Sequence, residues 1–473
     1  MKKILFINPP QKRVSNYTQS NELEWIPLGL CYLAAIAQKE GYDAKTIDLA
    51  RDSFNKVEKI LKKEKPDFIG LSCWTDTRIS TIEVAKLAKK INPNVKIIIG
   101  GSHATFFPEH MFKLAPTDVV VLGEGEETLK ELLNAYTNKK SFEKIKGIAY
   151  KQNNKIIKTT ARPLITNLDD IPFPIYNGLN LKKYRGDDKF SRAKEAINGM
   201  MISSRGCPYQ CTFCSTCLYW ERKWRARSAK NTVDEMEYVY KNYGINNIRF
   251  WDDHFTLNKT RAIEICKEII KRKLHTKITW GTSLRVDCLN NEVISWMKKA
   301  GCNKLIFGVE SGSPTILKNI KKGFMVKDIE NAFKLCHKYN MYANASIMLG
   351  NPGETEKTVD ETITILKKIK PDNPIRGGSI LIVFPGTEVY TVMKNKGKLT
   401  DDFWLTDKPM PYYSLDHNFE ELIMLSNRLT FGLMSKTERT KYVITKGFKT
   451  LFKNPKQIFK LIWFYLKNII KKI

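Results

Sequence analysis

Two hydrophobic patterns alternate along most of this chain. Short, nearly continuous apolar runs, typical of strands buried on both faces, recur between longer segments with the 3.6-residue period of amphipathic helices. In the N-terminal third, Lys3–Ile7, Ala44–Ile47, Phe68–Ser72, Lys96–Ile99 and Val119–Leu122 predict five strands. Leu28–Lys39, Phe54–Lys63, Ile79–Lys90 and Glu126–Tyr136 predict helices between or after them. The alternation predicts an α/β, doubly wound, Rossmann-like parallel sheet.

From Lys144 to Ile165 two short strand-like runs flank Asn153-Asn154 and predict a hairpin extension, followed by a proline-stiffened connector at Asp169–Pro174. A second alternating region begins near Ala196. Its predicted strands are Met200–Ser203, Asn247–Trp251, Ile278–Thr282, Lys304–Val309, Tyr342–Met348 and Ser379–Val383, with helices such as Val233–Tyr243, Lys259–Arg272 and Val326–Tyr339 between them. About six strand–helix units predict a partial (β/α)6 barrel with function at the strands' C-terminal ends. The expected layout is an α/β domain over 1–143, hairpin and linker over 144–195, barrel over 196–400 and a helical region over 401–473.

A chain of 473 residues exceeds one ordinary core and agrees with several domains. Its ten cysteines, with an N-terminal apolar run too short for a signal peptide, predict a reducing, cytoplasmic setting. No apolar run is long enough to predict a membrane span. The net charge of +30 is spread over lysines of amphipathic helices, without a nucleic-acid-binding signature, so nucleic acid is not expected as a partner. The last segment, 436–473, concentrates ten lysines and one arginine against one glutamate, beside Ile458, Phe459, Trp463, Phe464 and Tyr465. Such a basic, aromatic stretch is suited either to peripheral contact with an anionic inner membrane face or to docking on the protein's own body.

The chemistry concentrates at Cys207, Cys211 and Cys214, spaced CxxxCxxC directly after a predicted barrel strand. Three thiolates on one loop can hold three irons of a [4Fe–4S] cluster and leave the fourth open. A zinc site is the alternative, because Cys217 extends the row to four, but a paired knuckle or nearby histidines are missing. Polar residues gather at the other predicted strand ends: Asp252, Asp253, Arg285, Glu310, Gly350 and Gly353. In the N-terminal sheet the corresponding ends carry Ser72, Gly100, Gly101, Gly123 and Gly125, where glycines admit close backbone approach to a bulky ligand. No GxGxxG follows the first strand, which argues against a dinucleotide site.

The ordered set CxxxCxxC, Asp252-Asp253-His254-Phe255, Gly308-Val309-Glu310-Ser311-Gly312 and Gly350-Asn351-Pro352-Gly353-Glu354 resembles radical S-adenosylmethionine (SAM) enzymes. The N-terminal glycines and Ser72 resemble a cobalamin-binding domain, although the cobalt-ligating DxHxxG is replaced by Asn8-Pro9-Pro10-Gln11. The resemblance covers about residues 1–400 and implies a [4Fe–4S] cluster, SAM and cobalamin as cofactors. It also implies that SAM chelates the open iron and is cleaved reductively to methionine and a 5′-deoxyadenosyl radical. By position it implies Asp252 and Asp253 at the SAM amino group, Arg285 at its carboxylate, Glu310 at the ribose diol, Gly350 and Gly353 at adenine, and Phe213 over the cluster or adenine. A one-electron reductant such as flavodoxin or ferredoxin is the implied partner.

Methylation of an unactivated carbon is the expected reaction, one SAM methylating the corrinoid and a second generating the substrate radical. Cobalamin-assisted ring formation or carbon–carbon coupling is a second reading, and a non-enzymatic cobalamin sensor or carrier a third. The substrate is expected to be a small molecule, or a lipid or isoprenoid if the tail meets a membrane. Phe403, Trp404, Tyr412 and Tyr413 give an aromatic hint of where substrate specificity lies.

Overall fold

The protein is described from a computed structural model covering residues 1–11, 26–186, 196–373, 375, 377–435 and 437–441. The predicted basic tail lies outside the described residues, apart from residues 437–441.

The first sheet contains β1 (Lys3–Asn8), β2 (Asp43–Asp48), β3 (Phe68–Ser72), β4 (Lys96–Gly100), β5 (Val119–Val121), β6 (Ile148–Gln152) and β7 (Lys155–Lys158), in spatial order β2-β1-β3-β4-β5-β6-β7. The first five strands are parallel, and β6 and β7 add antiparallel at the β5 edge. The continuous apolar runs have a simple cause. Leu5 and Ile7 pack with Ile69, Leu71, Ile97 and Ile99 on one face, while Ile4 and Phe6 pack with Phe68, Ile98 and Val119 on the other. Both faces are covered by helices, so no strand position needs to be polar. The predicted hairpin turns at Asn153 and Asn154, both left-handed with φ of 49° and 63°, which asparagine tolerates.

The second sheet runs β16-β15-β14-β13-β12-β9-β8, from β8 (Arg185–Gly186), β9 (Ala196–Met201), β12 (Asn247–Phe250), β13 (Thr279–Leu284), β14 (Cys302–Glu310), β15 (Tyr342–Leu349) and β16 (Ser379–Ile380). Six of these strands are parallel, and β8 joins antiparallel at the edge. The sixth parallel strand is shorter than its apolar run predicts. Ile382 bridges antiparallel to Tyr412, and the Val383 N–H donates to Pro411 O, so the end of the run leaves β15 for the C-terminal segment. A separate two-residue ribbon, β10 (Ser204–Arg205) with β11 (Arg225–Ala226), stands at the carboxyl end of β9.

The two halves are joined by buried contacts. Arg78, just beyond β3, is fully buried and donates to Thr406 O at 2.9 Å and Lys408 O at 3.0 Å, with its guanidinium 5.3 Å from the Trp404 ring. Trp404 donates to the Tyr390 hydroxyl at 3.0 Å and packs near His103 and Phe107. The aromatic hint at Trp404 is therefore answered by packing, because its ring is fully buried. Helix Phe419–Leu433 lies along helix Glu356–Ile369, fastened by a bidentate Arg428–Asp360 pair at 2.8 and 2.6 Å.

Candidate active site

Residues 206–224 form an excursion whose neck is the β10–β11 ribbon, and this excursion carries Cys207, Cys211 and Cys214. Gly206 opens it at φ 89°, and a side chain there is impossible because its Cβ would lie 2.1 Å from Lys223 O. Asp253 accepts the Gly206 N–H at 2.8 Å, tying the start of the excursion to the end of β12. Its carboxyl is crowded by protein yet exposed on one side, and loss of hydration raises its pKa to about 6.

Asp252 is occupied differently. Buried, it accepts from Ser203 N at 2.8 Å, Ser203 Oγ at 2.6 Å and Ser204 Oγ at 2.5 Å. The two adjacent aspartates, predicted to share one ligand, thus divide: Asp252 fixes β10 while Asp253 fixes the start of the excursion and stays exposed.

The three cysteines are half-buried, and burial lifts the Cys207 thiol to about 11 and raises Cys211. Cys217 stands apart. From the short helix Thr216–Tyr219 its buried thiol donates back to Cys214 O at 3.2 Å, which gives it a structural place and leaves three thiols in the row.

Two buried cations face Cys211. Lys322 pairs with Glu310 at 3.0 Å and lies 5.5 Å from the Phe213 ring, and Lys322 and Arg285 both favour the Cys211 thiolate against its burial. Glu310 reaches this position from a left-handed backbone, φ 61°, at the irregular end of β14. Gly308 leaves room for it, since a Cβ there would sit 2.7 Å from Glu310 Oε1. Arg285 holds Asp287 through two hydrogen bonds of 3.0 and 2.9 Å, donates to Lys322 O at 2.7 Å and stacks 3.5 Å from the Tyr209 ring centroid. The guanidinium thereby presses on the cysteine excursion. Its Nη1 remains buried without a partner. Below Tyr209, Cys288 and His254 make a buried contact of 3.4 Å, and burial depresses the imidazole to about 4, so it is neutral near pH 7.

At the end of β15, Glu354 accepts from Gly350 N at 2.6 Å and Asn351 N at 3.0 Å. Burial raises its carboxyl to about 7, and Glu354 Oε1 and Asn351 Oδ1 are buried without partners. Gly350 and Gly353 are left-handed, φ 80° and 79°, and their missing side chains face Leu422 and Asn319. Their immediate reason is therefore the turn and its packing on neighbouring protein.

In the first sheet, Ser72 ends β3, and Gly100-Gly101 is stitched to it through Cys73 N–H to Gly100 O at 2.7 Å and His103 N–H to Cys73 O at 3.1 Å. Gly101, φ 102°, permits this approach, because a Cβ would meet Cys73 O at 2.7 Å. Gly123 is left-handed with open space where a side chain would project, whereas Gly125 lies against Leu33. Trp74 stands exposed beside Ser72. His103 is buried and depressed to about 3, and His110 stacks on Phe107 at 4.7 Å, so both belong to packing.

Glu124, between Gly123 and Gly125, and Glu126, just after Gly125, are residues that their sequence context did not mark. Glu124 and Glu126 cross to Arg205 and Arg225 of the excursion neck. Lys322 was missed as well. Its signal was the run Lys321-Lys322-Gly323-Phe324 after a short helix, which reads as an ordinary basic turn.

A parallel half-barrel presenting a three-cysteine excursion at its strand ends defines the radical SAM class. Comparison with known proteins extends this: the B12 binding domain family matches residues 17–133 and the Radical SAM superfamily residues 201–366. An uncharacterized methyltransferase of Pyrococcus horikoshii is 36% identical over 99% of this chain and 96% of its own. The anaerobic magnesium-protoporphyrin IX monomethyl ester cyclase of Cereibacter sphaeroides is 30% identical over 86% of this chain and 65% of its own. The solved radical SAM methyltransferase TsrM of Kitasatospora setae shares the fold with a TM-score of 0.70 at 19% identity, over 84% of this chain and 76% of that one. The cobalamin-dependent enzyme OxsB shares it at 0.68 and 19% identity, over 90% and 66%. The chain belongs to the cobalamin-binding radical SAM enzymes, whose cofactors are a [4Fe–4S] cluster, SAM and cobalamin.

The side chains fit these groups. Cys207, Cys211 and Cys214 are half-buried thiols on one excursion, with Cys217 turned to Cys214 O, which is the ligand number of a cluster with one open iron; among the described residues no three His, Cys, Asp or Glu side chains converge closely enough to hold a single metal ion. The orphaned donor Arg285 Nη1 matches a carboxylate, and the orphaned acceptor Asn351 Oδ1 matches a donor group, since buried polar atoms are rarely left unpaired. Gly123 offers open space at the carboxyl end of the first sheet, where ligands of such sheets bind.

Proposed function

We propose that this chain is a C-methyltransferase, moving a methyl group from SAM to an unactivated carbon of a small-molecule or lipid substrate. The observation that carries this reading is the similarity to the Pyrococcus horikoshii methyltransferase, which extends over both sheets and the C-terminal region at once. When bound, the cluster with SAM supplies radical generation and the corrinoid supplies methyl carriage.

The chain's own residues bind and orient. Cys207, Cys211 and Cys214 hold three irons. Arg285, through Nη1, takes the SAM carboxylate, and Asp253, through its open side, takes the amino group. Asp252 acts one step back, through Ser203 and Ser204. Glu310, positioned by Lys322, accepts from the ribose, and Phe213 covers the same pocket. Gly350 and Gly353 shape the β15 turn at the adenine end. Ser72, Gly100, Gly101, Gly123 and Gly125 would line the corrinoid, while His103 and His110 are taken up in packing. An acidic one-electron carrier of the flavodoxin or ferredoxin kind suits a chain of net charge +30.

Ring formation is a second reading, favoured by the relatedness to the Cereibacter sphaeroides cyclase. Anaerobic turnover of the reconstituted protein in extract separates the two. Methyl transfer yields S-adenosylhomocysteine and 5′-deoxyadenosine together with a methylated product; 5′-deoxyadenosine without S-adenosylhomocysteine would contradict it and favour the cyclase reading.

A further inference from the structure

The neck of the cysteine excursion brings two arginines face to face. Arg205 and Arg225 are directly paired across the antiparallel β10–β11 ribbon, and their side chains are only 11% and 10% exposed. Like charges directly opposite one another weaken such a pair, and burial removes the water that would screen them. Trp220 lies 5.9 and 5.3 Å from the two guanidiniums, which offers each ring-face attraction but no neutralisation.

The neutralising charge comes from the other sheet. Glu124, with a side chain 2% exposed, accepts from Arg205 at 2.7 Å through one oxygen and from Arg225 at 2.8 Å through the other. That second oxygen also accepts the Ile165 N–H at 2.7 Å, while Arg225 donates to Ile165 O at 2.6 Å. Glu126 takes the other arm of Arg205, and Tyr219 of the excursion donates to Gly123 O at 3.0 Å. Arg225 is the less well served partner: its Nε and Nη2 are buried without acceptors. Cys207 lies two residues beyond Arg205, so any opening of the neck moves the first thiol.

We propose that Glu124 is a positioning residue for the iron–sulfur cluster. It closes the excursion neck across the domain boundary, so the geometry of the three thiols depends on the docked corrinoid-binding sheet. This rests on the excursion being the cluster loop. Removal of the Glu124 charge leaves two buried, facing guanidiniums with one carboxylate between them, and the ribbon opens. Removal of Arg225 in the same chain cancels the repulsion and lets Glu126 alone balance Arg205.

The test uses the full chain as wild type, Glu124→Gln, Arg225→Gln and the double variant. Amide exchange across residues 204–226 is measured before metal loading, and iron per chain and the EPR spectrum of the reduced cluster after anaerobic reconstitution. Glu124→Gln is expected to speed exchange across the neck about tenfold and to lower iron retention, with corrinoid absorption unchanged, and adding Arg225→Gln is expected to recover most of the loss. Wild-type exchange and iron content in Glu124→Gln, or a double variant no better than Glu124→Gln, would overturn the proposal. If Glu124→Gln does not accumulate folded, the double variant decides: folded and cluster-bearing supports the clamp, unfolded overturns it. Wild-type protein that takes up no iron would instead overturn the cluster reading itself.

Discussion

Asp253 accepts the backbone N–H of Gly206 at 2.8 Å, and this one hydrogen bond joins the end of β12 to the first residue of the cysteine excursion. Gly206 immediately precedes Cys207, so this side chain anchors the loop that carries Cys207, Cys211 and Cys214 next to its first thiol. Asp253→Ala is expected to reduce cluster retention severalfold, while Asp253→Asn, which keeps an acceptor for Gly206, retains most of it. Iron and sulfide quantification after anaerobic reconstitution checks the order.

The thiol of Cys217 is already satisfied by Cys214 O. Cys217→Ser is therefore expected to leave iron content and the iron–sulfur absorption unchanged. Single alanine replacements of Cys207, Cys211 or Cys214 are each expected to abolish both. Absorption spectra of the four variants distinguish three ligands from four.

Trp404 joins the C-terminal segment to the first sheet through Arg78, Tyr390 and the His103–Phe107 aromatics. Truncating a fully buried tryptophan costs about 3–5 kcal/mol. Trp404→Ala is expected to destabilise the apoprotein by that order in chemical denaturation, and Arg78→Ala to weaken the same contact.

Glu354 prefers its protonated form in the folded chain, because burial raises its carboxyl from 4.5 to about 7. Folding therefore gains from this group fully below about pH 4.5 and loses the gain as pH rises through about 7, a change of about 3 kcal/mol. Glu354→Gln is expected to flatten that part of the stability profile. Thermal unfolding of wild type and variant at pH 5 and pH 8 measures it.

The strands of the first sheet were legible because burial on both faces writes continuous apolar runs, as in Ile4–Ile7 and Ile97–Ile99; in the second sheet burial alternates along several strands, and its first strand, expected at Met200–Ser203, runs over Ala196–Met201. The hairpin at Asn153-Asn154 was legible because its turn requires left-handed residues. The cysteine row was legible because its ligands are local. What escaped is what depends on distant partners. Asp252 reads as a strand-end ligand until Ser203 and Ser204 take it up, and nothing near Glu124 announces Arg205, whose pairing is fixed only when the sheets dock. Lys322 carries no local mark of its pairing with Glu310 beside Phe213. The Ser379–Val383 run was read as one strand because periodicity does not show that Ile382 turns to Tyr412.

The basic tail calls for a measurement of its own. Among the described residues no helix is long and apolar enough to cross a membrane. Co-sedimentation of the chain with anionic liposomes, with and without residues 436–473, is expected to show binding that depends on the tail and weakens with salt. Equal binding by both forms would remove the case for a lipid substrate.

In the proposed site, three thiolates leave one iron of the cluster to SAM. EPR with hyperfine spectroscopy of the reduced, reconstituted protein, recorded before and after addition of SAM isotopically labelled in its amino nitrogen and carboxylate oxygens, addresses it directly. A changed cluster spectrum with coupling to both labels is expected, and an unchanged spectrum without coupling would contradict SAM at the open iron.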